Sequence, residues 1–273
     1  MVKNYIEKLI DYYKFWHVGL SEWRRVIYAL IYRETKTSWG ERALGIIWAL
    51  IEPITHILIL VTLRSVLKGG MADRGEISNF LFIATGIFSF FIFRNTFKKV
   101  KACVAANRAL LVFPQIHILD FVFARSLLEL MTCSAAFLFF IIGLNWLEGT
   151  IPLVNTLNII TGFLLMWVLG LGCGLLCIPL HNRFKIIDEI INVILRIGYF
   201  VSGVMFSFSD IPADYRIYLE WIPTFHGIEH VRSGFSHMYG EYADINYLFY
   251  IAFLSLLFGI LIIRQKQNYI LNE

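Results

Sequence analysis

Long apolar blocks alternate with short polar stretches along this chain. A helix that crosses a bilayer needs about 20 mostly apolar residues, and six blocks approach or exceed that length. The first runs from Leu44 to Leu63, broken only by Glu52-Pro53 and His56. The second covers Ser78 to Phe97, and the third Ile118 to Trp146, with Arg125 and Glu129 near its start. The fourth covers Thr156 to Leu180, the fifth Ile186 to Ser207 and the sixth Ile245 to Ile263. The pattern predicts an all-α integral membrane protein of six transmembrane helices. An even number of crossings places both termini on one side.

Two further segments fit neither a crossing nor a simple loop. Between Ser21 and Lys36, the residues Trp23, Val26, Ile27, Leu30 and Ile31 recur at helical spacing, with Arg24, Arg25 and Arg33 off the stripe. That pattern predicts an amphipathic helix lying in the membrane interface. Between Phe208 and Asp244, apolar side chains such as Trp221, Phe225, Ile228 and Val231 are too frequent for a solvated loop. Pro212 and Pro223 divide this stretch into two short helices. A hairpin that re-enters the membrane before the last span accounts for the apolar content if its backbone is buried in protein; an external cap of packed amphipathic helices is the alternative. The expected single transmembrane domain, 1–273, thus divides into 1–43, 44–207, 208–244 and 245–273.

Composition narrows the class. Hydrophobic residues make up 58% of the 273 and charged residues 16%, against about 25% charged in an average soluble domain; mean hydropathy is +0.66. Lipid is therefore the solvent for most of the chain, which excludes a secreted enzyme and a soluble nucleic-acid binder. The cysteines Cys103, Cys133, Cys173 and Cys177 lie in or beside apolar runs and read as packing residues. No cleavable signal peptide is expected, because Met1 to Trp16 mixes charges with aromatics.

Charge placement sets the expected orientation. Lys3, Lys8, Lys14, Arg24, Arg25, Arg33, Lys36 and Arg42 precede the first span, and Arg94, Lys98, Lys99, Lys101, Arg108 and Arg125 surround the second loop. Arg183, Lys185, Arg264 and Lys266 fall on the same side, against Arg64, Lys68, Arg74, Arg216 and Arg232 on the other. Both termini are expected in the cytoplasm of a multi-pass inner-membrane protein.

Candidate chemistry is sparse. His226-Gly-Ile-Glu229-His230 has the spacing of one zinc-peptidase motif, but no clear third ligand accompanies it, and His237 stands apart. No resident metal is expected, and Glu229 with Arg232 suits a local ion pair. Gly170-Leu-Gly-Cys-Gly174 carries a G-x-x-x-G, which permits close helix packing with a partner in this chain or another. Arg196 and Glu52 sit inside apolar spans, either paired with each other or facing a substrate. No G-x-x-x-x-G-K-S/T phosphate loop occurs. ATP-driven work would need another polypeptide.

These features together resemble the membrane subunit of type-2 ABC exporters. The local match runs through Arg33-Glu34-Thr-Lys-Thr-Ser-Trp39-Gly40 and Leu44-Gly45-Ile-Ile-Trp48-Ala-Leu-Ile-Glu52-Pro53. It continues at Ala106-Asn107-Arg108-Ala109-Leu110-Leu111-Val-Phe113-Pro114, and at Ile222-Pro223-Thr224 followed by Glu229 and Arg232. Within that family the chain looks most like capsule polysaccharide export permeases, with O-antigen or teichoic acid permeases as the near alternative. A membrane-embedded zinc peptidase or lipid-glycan transferase is the alternative of another class.

The resemblance implies a non-enzymatic permease that works with two copies of a separate ABC ATPase carrying ATP and Mg. It implies a second copy of the chain, a lipid-linked polysaccharide passing between the copies, contact with membrane lipids, and periplasmic and outer-membrane export proteins beyond; no nucleic acid is involved. ATPase coupling then falls on Asn107, Arg108, Ala109, Leu110, Leu111, Phe113 and Pro114, with Asn107 expected to cap a short helix. The interface helix uses Trp23, Arg24, Arg25, Arg33, Glu34 and Trp39. The substrate path is assigned to Trp48, Glu52, Arg94, Arg196, Glu229 and Arg232.

Overall fold

A computed structural model describes residues 23–37, 45–68, 77–107, 110–111, 117–183 and 186–272. The elements among these residues are helices. They are α1 (23–37), α2 (Gly45–Lys68), α3 (Asn79–Lys101), α4 (Cys103–Asn107), α5 (Ile118–Glu148), α6 (Thr156–Arg183), α7 (Ile186–Val201), α8 (Ala213–Leu219), α9 (Pro223–Arg232) and α10 (Ile245–Asn272). Four of them, α3, α5, α6 and α10, contain stretches long and apolar enough to cross a membrane.

Helix α3 is the axis of the bundle. Ser78 starts it by accepting a hydrogen bond from the Leu81 N–H, and every residue from Leu81 to Ile92 is buried. Its phenylalanines interlock with neighbours on several sides: Phe88 meets Phe137 of α5 edge-on, and Phe90 meets Tyr199 of α7. A helix apolar on all faces can be buried only if other helices surround it. Here α2, α5, α6 and α9 all pack against it.

The glycines of α6 explain how the bundle closes. A Cβ on Gly170 would lie 2.6 Å from the Phe93 carbonyl oxygen of α3, and one on Gly174 would lie 2.7 Å from Val100 Cβ. Gly172 points the other way, where a Cβ would come within 2.5 Å of the Leu256 backbone nitrogen on α10. The G-x-x-x-G pair therefore seats α3 of the same chain, and the glycine between them seats α10. Close backbone approach through small residues is a general solution for helices in lipid, where dispersion rather than water exclusion drives association.

The fifth apolar block departs from expectation. Instead of running to Ser207, α7 ends at Val201, 16 residues from its start. At 1.5 Å per residue that is about 24 Å, short of a hydrocarbon core of about 30 Å. Gly203 breaks the helix with φ of 83°, and the Phe225 ring occupies the space where a side chain there would go. Residues 202–204 and Ser207 are buried, so this irregular backbone is enclosed in protein.

Two helices follow, each beginning just after or at a proline, as the segment's punctuation predicts. Pro212 precedes α8, and Pro223 opens α9, where a missing N–H costs nothing. The two differ in environment. No residue of α8 is buried, whereas Phe225, Ile228, Val231 and Arg232 of α9 are 0% exposed. Val231 sits where a Gly162 side chain would go, and Gly227 clears Met166 of α6.

Candidate functional site

Three clusters of polar side chains stand out against this apolar frame. The first joins α1 to the start of α5. Leu30, flanked by Val26 and Ile31, buries one stripe of α1 against a cluster that includes Val100, Val104 and Phe121, and Ile27 is buried beside it in sequence. Around that stripe, the Trp23 indole N–H donates to Asp120 Oδ1 at 3.1 Å, and Glu34 pairs with Arg125 at 3.1 Å with both side chains largely buried. Arg33 Nη1 donates to Asn107 Oδ1 at 3.1 Å. The interface helix is thereby tied to the segment that follows α3.

Asn107 closes the same cluster from the other side. It is the last residue of α4, 2% exposed, and its amide donates to the Cys103 carbonyl one turn back at 3.0 Å. With its oxygen held by Arg33 and its nitrogen by Cys103, it ties α4 to α1; the cap expected of it involves residues 108–109, which lie outside the described residues. Leu110 and Leu111 are half-buried and pack on the same apolar cluster as α1. Arg24 and Arg25 are exposed. Trp39, Arg108, Ala109, Phe113 and Pro114 lie outside the described residues, as does the side chain of Trp48.

The second cluster surrounds Arg232. Its guanidinium is wholly buried and donates to the carbonyl oxygens of Val204 at 2.9 Å, Phe206 at 3.1 Å and Phe82 at 3.3 Å. It also pairs with Glu229 at 2.9 Å and lies 3.6 Å from the centre of the Phe82 ring. Glu229, 2% exposed, accepts from the Ser207 hydroxyl as well. Burial pushes its carboxyl pKa up, and the Arg232 charge is the strongest influence pulling it back. Buried carbonyls in the irregular backbone that follows α7 must find donors, and Arg232 supplies them at Val204 and Phe206. Glu229 and Arg232 are thus enclosed by protein and hold the end of α7 to α9 and α3.

The histidines beside them are drawn to different partners. His226 bridges the Glu220 carbonyl and the Asp244 N–H, whereas His230 meets Thr161 of α6 at 2.9 Å. Burial lowers the pKa of His230. His237 is exposed. The helical spacing of the first two does not bring their rings onto a common ligand.

The third cluster is a cavity of about 580 Å³ between α2, α3 and α7. Arg94, Lys98 and Arg196 line it together with His56, Tyr199 and Phe200. Glu52 of α2 reaches across to Arg94 at 2.6 Å, so the acid pairs with α3 and not with Arg196 as one expectation had it. The physical reason is position: Arg94, stacked 3.8 Å over the Phe91 ring, already faces α2. Arg196 is exposed and, among the described residues, meets no acid. Beside it the apolar side chains Ile190, Val193, Ile194, Ile197 and Phe200 of α7 are also exposed, as are Leu58 and Ile59 of α2. The cavity therefore opens on a face that the described residues leave uncovered. Lys98 and Tyr199 are residues that sequence reading did not single out here. A one-turn step from Arg94 to Lys98 in an otherwise apolar helix was the available signal.

A family model described as ABC-2 type transporter matches residues 25–236, most of the chain. The chain belongs to the ABC-2 type transporter family. Its curated relatives include the polysialic acid transport protein KpsM of Escherichia coli, 29% identical over 93% of this chain and 98% of the relative. The capsule polysaccharide export inner-membrane proteins CtrC of Neisseria meningitidis and BexB of Haemophilus influenzae are 27% and 26% identical, over 92% and 88% of this chain and 94% and 91% of those proteins. The matched region runs from within α1 through α9 and includes all three polar clusters except Trp23.

Proposed function

We propose that this chain is the inner-membrane permease of a capsule polysaccharide exporter, and that the cationic cavity between α2, α3 and α7 is one half of the glycan's path. The single observation that carries the path is the cavity itself. Arg94, Lys98 and Arg196 present positive charge, Tyr199 and Phe200 present rings, and the opening lies between uncovered apolar faces of α2 and α7. Cations inside a bilayer are costly unless they face a partner or an aqueous cavity. An acidic or phosphate-linked glycan is such a partner, and aromatic rings offer faces to its sugars.

A second copy of the chain, set against α2 and α7, closes the path and covers the exposed apolar faces. In this reading α2, and α7 together with the enclosed backbone that follows it to Ser207, complete six crossings, with both termini cytoplasmic. The segment from α8 to α9 is an external hairpin. Its reach into the bundle supports re-entry: α9 touches Met166, about 15 Å along α6 from Thr156 at the helical rise. A separate ATPase carrying Mg and ATP docks on the segment after α4, and its closure moves α1, α4 and the start of α5 as one unit.

Reversing the cavity's charge tests the assignment. Cells carrying Arg196→Glu with Lys98→Glu should insert the protein normally yet hold their glycan inside, with little at the surface. Surface glycan at the wild-type level in that strain would remove the cavity from the path.

A further inference from the structure

A second cavity, of about 560 Å³, opens where the end of α8 meets the start of α10. Ile217, Glu220 and Trp221 form one wall, Tyr242, Asp244 and Tyr247 the other, and His226 lies between them. No residue is shared with the cationic cavity. Its volume falls in the range of small-molecule sites, about 300–1,000 Å³.

The walls are fixed to each other before any ligand arrives. His226, 2% exposed, donates from Nε2 to the Glu220 carbonyl at 2.8 Å and accepts at Nδ1 from the Asp244 N–H at 3.0 Å. The Tyr247 hydroxyl donates to the Trp221 carbonyl at 3.0 Å, a second strut across the same gap. Asp244 is steadied in turn, its Oδ1 accepting from the N–H groups of Asn246 and Tyr247. A width set in advance reduces the ordering cost of binding.

The chemistry of the lining selects a ligand. Trp221 is 75% exposed, so one aromatic face is on offer where burial has not claimed it, while the Tyr242 ring carries the Arg216 guanidinium 4.4 Å from its centre. The negative face of an aromatic ring attracts the C–H face of a sugar ring, and carboxylates accept from sugar hydroxyls. Rings alone would suit a membrane anchor, but Glu220 and Asp244 at the same mouth make contact with hydrocarbon costly. The same two acids outnumber the single nearby cation, Arg216, and so disfavour phosphate and carboxylate. What remains is a neutral, hydroxylated ring.

We propose that this cavity binds a neutral sugar residue of the exported glycan on the external side of the protein. The proposal rests on the exporter reading above. The test uses the full chain in lipid nanodiscs and oligosaccharides cut from the producing cell's own surface glycan, with saturation transfer to sugar protons as the readout. Wild-type protein should saturate the sugar signals. Trp221→Ala should weaken binding by about tenfold, the loss expected for one ring contact. Trp221→Tyr should restore most of it. Trp146→Ala, which removes an indole that is 85% exposed at the end of α5, should leave binding unchanged. Equal binding by wild type and Trp221→Ala would overturn the site. So would wild type that binds no sugar in a cell whose surface glycan vanishes when the gene is deleted, and in that case the exporter reading would survive. No binding together with a surface glycan indifferent to the deletion would remove both.

Discussion

Arg232 shows how much a single buried cation can organise. Its donors reach Val204, Phe206 and Phe82, and its charge answers Glu229. Removing one member of a buried ion pair strands the other, at about 3–5 kcal/mol. Arg232→Met should therefore lower the thermal unfolding temperature in detergent sharply, since it also orphans the carbonyls at the end of α7. Glu229→Gln should cost less, because the amide oxygen can still accept from Arg232, the amide N–H can donate to the Ser207 hydroxyl oxygen, and Arg232 keeps its carbonyl partners. If the two variants melt alike, the guanidinium is not what holds the break together. Asn107 offers a second case, in which function should suffer more than stability. Its bonds to Arg33 and the Cys103 carbonyl join α1 to α4. Because Arg33 is partly solvated, their loss should be worth only about 1 kcal/mol. Asn107→Ala should thus insert and fold, yet lower glycan-stimulated ATP hydrolysis by the partner ATPase several-fold. Unchanged stimulation would argue that α1 and α4 move independently.

Among the elements, packing through glycine sets how closely α6 approaches its neighbours. Gly172→Leu has no room: the nearest atoms are Ser255 Oγ at 2.3 Å and the Leu256 backbone nitrogen at 2.5 Å. Overpacking typically costs about 1–3 kcal/mol, and backbone on the opposing side makes relief harder. Gly143→Leu on α5, with nothing within 4 Å of a new Cβ, should be tolerated. Comparing the melting temperatures of the two tests whether α6 and α10 approach as closely as described. The helices themselves were legible because lipid imposes one rule, a long apolar run, and α3, α5, α6 and α10 obey it. Glycine spacing signalled a close contact, but not that Gly170 and Gly174 face α3 while Gly172 faces α10. The end of α7 was not legible. Its apolar composition continues past Val201, and the break depends on Gly203 and on Arg232, which reaches back 28 residues to the Val204 carbonyl. The ion pairs were hidden for the same reason. Glu52 chooses Arg94 over Arg196 through the rotation of α2 against α3, which hydropathy does not encode.

For the molecule as a whole, the account turns on where the charges point. The chain belongs to a family of transporters, and the described residues close α3 inside the bundle while leaving apolar faces of α2 and α7 exposed beside a cationic cavity. A path assembled from two such halves would present rings and cations to a passing glycan and hide the apolar faces between copies. The groove between α2 and α5, lined by Ile54, Phe139 and Phe140, has the opposite character, being almost wholly apolar, and should meet only lipid. The contrast supplies the most direct test. A photoreactive phenylalanine analogue at Phe200 should cross-link to glycan when transport is stalled by an ATPase subunit unable to hydrolyse ATP, and the same analogue at Phe139 should capture lipid alone. Glycan adducts at Phe139 and none at Phe200 would contradict the account.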